Sequence, residues 1–98
     1  MGADPNVENH GRTPLHIAAY DGRKIMVQVL LERGAEPNRK TEHEQWTPLH
    51  CAALMGHLDV VKKLLDGGAN SSMTDSGGRS PMQLAARAGH TEVVQLLS

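Results

Sequence analysis

The side chains best suited to chemistry in this 98-residue chain are two histidines, His16 and His50, each closing a four-residue segment: Thr13-Pro14-Leu15-His16 and Thr47-Pro48-Leu49-His50. Imidazole titrates near neutrality and is the commonest general base. A base needs a nucleophile to deprotonate and a carboxylate to orient it, in one constellation. Neither histidine has such partners in a matching pattern. A threonine three residues upstream instead offers a hydroxyl and a turn of backbone for the ring to bond, so both are read as structural. Cys51 follows His50 directly, with His57 six residues on. Zinc needs four convergent ligands at a recognisable spacing, and this spacing fits none. Cys51 also takes a position filled elsewhere by Ile17 and Leu84, so it is read as a small buried hydrophobe. Asn70-Ser71-Ser72 has the form of a glycosylation acceptor, but in a cysteine-poor chain it is read as a loop turn. Thr13-Pro14, Thr47-Pro48 and Ser80-Pro81 resemble proline-directed phosphorylation sites, yet their hydroxyls are expected in helix caps. The expectation is a protein that is not an enzyme, with no catalytic residue, no metal and no cofactor.

What positions these residues is a repeat. Thr13-Pro14-Leu15-His16, Thr47-Pro48-Leu49-His50 and Ser80-Pro81-Met82-Gln83 begin 34 and then 33 residues apart. Each is followed by an alanine pair (Ala18-Ala19, Ala52-Ala53, Ala85-Ala86) and a glycine (Gly22, Gly56, Gly89). Proline suits the first turn of a helix, the preceding hydroxyl caps it, and the glycine ends it in a left-handed conformation. Helices are therefore predicted over 14–20, 48–55 and 81–87. A second helix follows each: 24–32, 58–66 and from 91 to the end. In the middle copy Val60, Val61, Leu64 and Leu65 form one stripe, with Asp59, Lys62 and Lys63 facing water. Helices this short persist only when each pair packs on the next. Between pairs lie Gly-, Asn-, Asp- and Pro-rich turns. From the Gly of each Gly-Ala segment to the next capping hydroxyl the spacing is 11, 13 and 12 residues. Gln45 stands where the other copies have Gly11 and Gly78, so the middle loop is predicted to differ at its tip.

Composition narrows the function classes. Ten Lys+Arg balance eleven Asp+Glu, which argues against a phosphate-backbone binder and so against a nucleic-acid partner. Asp21, Glu42 and Glu44 also interrupt the arginines. No run is long and apolar enough to insert in a membrane. One cysteine and no basic-then-apolar leader point to an intracellular protein of cytoplasm or nucleus.

These residues resemble the ankyrin repeat, whose Thr-Pro-Leu-His-x-Ala signature is met by Thr13 to Ala18 and Thr47 to Ala52. Ser80, Met82 and Gln83 depart from it. The resemblance extends to Gly56-His57 and Gly89-His90, the pairs Leu30-Leu31 and Leu64-Leu65, and the segments beginning Gly2, Gly34 and Gly68. It implies an all-α solenoid of stacked helix-turn-helix pairs with protruding β-turn or hairpin loops. One domain is expected over 1–98: a remnant over 1–7, repeats over 8–40 and 41–73, and a partial repeat over 74–98. The reading is of an excised piece of a longer array, with apolar end faces open to self-association.

Aligning the copies separates framework from positions that vary. Those positions are Arg12, Trp46 and Arg79 before the cap; Tyr20-Asp21, Leu54-Met55 and Arg87-Ala88 after the alanine pair; and loop tips including His43 and Glu44. The resemblance implies that they line the concave groove. They hold the only Trp and the only Tyr of a chain without Phe, as an interaction surface would. The candidate partner-binding residues are therefore Arg12, Tyr20, Asp21, His43, Glu44, Trp46, Leu54, Met55, Arg79 and Arg87. The expected function is a non-catalytic module binding a protein or peptide partner. The alternative is a structural spacer, which would carry bland groove positions.

Overall fold

In a computed structural model that describes residues 4–98, six helices run in order: α1 (Pro14–Asp21), α2 (Lys24–Glu32), α3 (Pro48–Met55), α4 (Leu58–Asp66), α5 (Pro81–Ala88) and α6 (Thr91–Leu97). Gly2 and Ala3, which open the first Gly-Ala segment, lie outside the described residues. Each odd helix starts as its sequence dictates. Thr13, Thr47 and Ser80 accept a bond from the backbone N–H three residues on, and the side chain at that position returns a bond to the cap, closing a reciprocal capping box. Each ends at a left-handed glycine: Gly22, Gly56 or Gly89.

The helices form two rows, α1-α3-α5 and α2-α4-α6, in a molecule of 41 by 26 by 19 Å. Leu15, Ala19, Leu49, Ala52, Ala53 and Ala85 build the interior of the first row, with Val27, Val61, Leu64 and Val93 beneath. Alanines at the contact let the short helices approach closely. Among the described residues there is no strand, only a single bridge between Asn9 and Arg12.

The loops project beside the first row, and their lengths follow the 11, 13, 12 spacing. Asn9 and Arg12 bond each other across the two residues His10 and Gly11, both at positive φ. Four residues separate Thr41 from Trp46, and three separate Asp75 from Arg79. Gln45 does adopt the left-handed conformation (φ 59°). Its amide donates to the Thr41 and Glu42 carbonyls at 3.0 and 3.1 Å, offsetting the strain a glycine would have avoided. The loops are joined side by side, since Glu42 N–H donates to Gly11 O and Ser76 N–H to Glu44 O.

Outer positions of the first unit contrast with their equivalents. Ile17 and Met26 are about half exposed, whereas Cys51 and Val60 are covered by the preceding unit. Val7 extends the same apolar face.

Candidate functional site

The two signature histidines hold the loops to the helices. His16 Nε2 lies 2.8 Å from Arg39 O and 2.9 Å from Trp46 O. Carbonyls only accept, so Nε2 carries the hydrogen and donates. Nδ1 then accepts from Thr13 N–H and from the Thr13 hydroxyl. His50 repeats this with Thr47 and with Arg79 O at 2.9 Å. Burial holds both imidazoles below their ordinary value of 6.5, against the raising effect of the carbonyl bonds. Each ring therefore spends all its bonding capacity on backbone and cap, and none is left for proton transfer. Cys51 is buried, and burial pushes its thiol up to about 12, so it is protonated and inert at neutral pH. The capping threonines are fully covered. Among the described residues no group of His, Cys, Asp or Glu could hold a metal ion.

The open side of the first row carries a hollow of about 350 Å³ between the first and second units. Arg12, Tyr20, Asp21 and Trp46, four of the sequence candidates, meet there above Ile17, Thr41, His16 and Cys51. Tyr20 and Met55 are exposed, as are Arg12, Asp21, His43 and Arg87; Leu54, Glu44 and Arg79 are half-buried. Leu54 and Met55 occupy on α3 the positions of Tyr20 and Asp21 on α1, one step along the stack, and Arg87 follows on α5. His43 and Glu44 stand apart at the loop tip, where Glu44 accepts from the Thr41 hydroxyl.

Trp46 differs from the free aromatic that the sequence suggests. It is half-buried against the core and its indole N–H donates to Asp75 Oδ2 at 3.0 Å. Its backbone N–H donates to Thr41 Oγ1, and its carbonyl is the His16 acceptor. Asp75 also accepts from the Gly77 and Arg79 backbone N–H groups and lies 3.4 Å from Arg79 Nε. Burial works to raise this carboxyl, but the Arg79 backbone N–H, the indole, the Gly77 N–H and the guanidinium together hold it below its ordinary value. Asp75, Thr41 and Ile17 were not among the sequence candidates. The Asp-Ser-Gly-Gly turn was the one signal for Asp75, since aspartate commonly bonds the backbone two residues on.

A family profile described as "Ankyrin repeats (many copies)" matches residues 15–65 and 56–97. With the stacked helix pairs, it places the chain in the ankyrin-repeat family, whose members are in general non-catalytic protein–protein interaction modules. Among curated relatives, the transient receptor potential channel pyrexia of Drosophila melanogaster is 53% identical over 38 residues, 38% of this chain and 4% of that protein. The E3 ubiquitin-protein ligase XB3 of Oryza sativa subsp. japonica is 64% identical over 28 residues, 29% of this chain and 6% of that protein. The similarity thus spans a small part of either relative.

Proposed function

We propose that this chain is a binding module that takes a peptide or folded protein partner in the groove formed by the loops and first helices, without catalysis of its own and inside the cell. The observation that carries this reading is the hollow where Tyr20 and the clamped Trp46 meet Arg12 and Asp21. Trp, Tyr and Arg are the residues that dominate binding energy at interfaces. Joined loops and fixed rings lose little freedom on binding, so more of the contact energy appears as affinity. No helix among the described residues is long and apolar enough to cross a membrane. The exposed apolar face of Val7, Ile17 and Met26 supports a second contact, between copies through the ends of the stack. Sedimentation at rising concentration tests it: growing mass supports the contact, and constant mass overturns it.

The groove is tested with peptides selected from a display library on the intact protein. Tyr20→Ala and Met55→Ala, at exposed positions, are expected to weaken the selected ligands about tenfold or more, roughly 1.4 kcal/mol each. Lys62→Ala, exposed on α4, is expected to leave them unchanged. Ligands indifferent to both groove substitutions would return the chain to the spacer reading.

A further inference from the structure

The groove's charges are unevenly engaged. Asp21 lies 3.8 Å from Arg23, Asp75 is committed to Trp46 and to Arg79, and Glu44 accepts from Thr41. Glu42 folds onto the first loop, where a Cβ at Gly11 would meet its side chain at 2.7 Å. Among the described residues Arg12 and Arg87 have neither an ion pair nor a side-chain hydrogen bond, and both are exposed. One stands at each end of the groove, Arg12 beside the hollow and Arg87 on α5. Between them lie Tyr20, Trp46, Leu54 and Met55.

We propose, resting on the groove reading above, that the partner segment is extended and acidic at both ends, with a bulky apolar residue between the acids. The apolar side chain enters the hollow between α1 and α3, one carboxylate meets Arg12 and the other meets Arg87. Arg12 precedes α1 and Arg87 lies near the end of α5, so the two stand diagonally across the groove. Two unit steps of about 10 Å and the length of a first helix, about 12 Å, separate them by about 23 Å. An extended segment rising about 3.3 Å per residue covers that distance in roughly seven residues. Guanidinium groups suit carboxylates because they donate in pairs. An apolar centre with charged residues confined to its rim is how protein interfaces are generally built.

The probe is a blocked peptide with two glutamates about seven residues apart and a leucine between them, about three residues from one and four from the other. Controls carry lysine for both glutamates, or serine for the leucine. Binding is followed by the fluorescence of Trp46, the only tryptophan, and by amide shift mapping. The glutamate peptide is expected to bind at least about fivefold more tightly than either control, and less tightly as salt screens the contacts. Arg12→Glu and Arg87→Glu, both surface changes, are each expected to erase or invert the preference over the lysine peptide. Equal or tighter binding of the lysine peptide, no effect of either arginine substitution, or no shift with any peptide overturns the proposal. If display-selected ligands still respond to Tyr20→Ala in that event, the groove reading survives without it.

Discussion

At His16 and His50 one ring nitrogen faces a backbone N–H and the other faces a carbonyl, so only the neutral ring fits. A proton added to Nδ1 would point at the Thr13 or Thr47 N–H and detach the cap. Both folded-state values lie below 6.5, whereas the unfolded rings titrate at the ordinary value. As pH falls below about 6.5 the unfolded chain therefore binds protons first, and stability present above that pH is lost on the way down. Denaturant midpoints measured from pH 7.5 to 5 should fall. The double variant His16→Gln, His50→Gln should flatten that slope, because Gln83 already makes the equivalent capping bond in the third unit without titrating. An unchanged slope would mean that other groups set the acid response. Asp75 contributes in a different window: its lowered value makes its contribution fade only below about 3.8.

The elements are short, and their ends are held by neighbouring units as well as by their own caps. The His57 ring lies over Gly22 and donates to Tyr20 O at 2.9 Å; the His90 ring lies over Gly56 and donates to Leu54 O at 3.0 Å. A Cβ at Gly56 would meet the His90 ring at 2.5 Å, while one at Gly89 would meet nothing within 4 Å. Both glycines have positive φ, so alanine at either costs about 1–2 kcal/mol of backbone strain. Gly56→Ala should lose clearly more stability than Gly89→Ala, the excess reporting the histidine contact between units. Equal losses in thermal or urea melts would show that the ring moves aside freely.

As a whole the molecule is a short linear stack in which each unit touches only its neighbours, so stability is set by how many sides of a unit are covered. The middle unit is covered on both: Leu49, Val60, Val61 and Leu64 are at most 1% exposed. Leu64→Ala should cost about 2–5 kcal/mol, a large share of the 5–15 kcal/mol typical of a domain. Leu97→Ala, at a half-buried position on α6, should cost less. Hydrogen exchange should be slowest in α3 and α4 and fastest in α6, which packs chiefly on α5. Uniform protection along the stack would contradict this ordering.

Helix starts and stops were legible in the sequence because capping and chain reversal are local: Thr47-Pro48 and Gly56 need no distant partner to act. The longer 13-residue spacing likewise marked the middle loop as the one that differs, and there four residues separate Thr41 from Trp46. Which candidate residues would be free was not legible. Trp46 and Asp75 are 29 residues apart, and only the stacking of one unit on the next brings the indole N–H to the carboxylate. Tyr20 and Met55, by contrast, remain exposed. Period and caps are properties of a segment, whereas burial and charge pairing are properties of the space between segments, which exists only once the units are stacked.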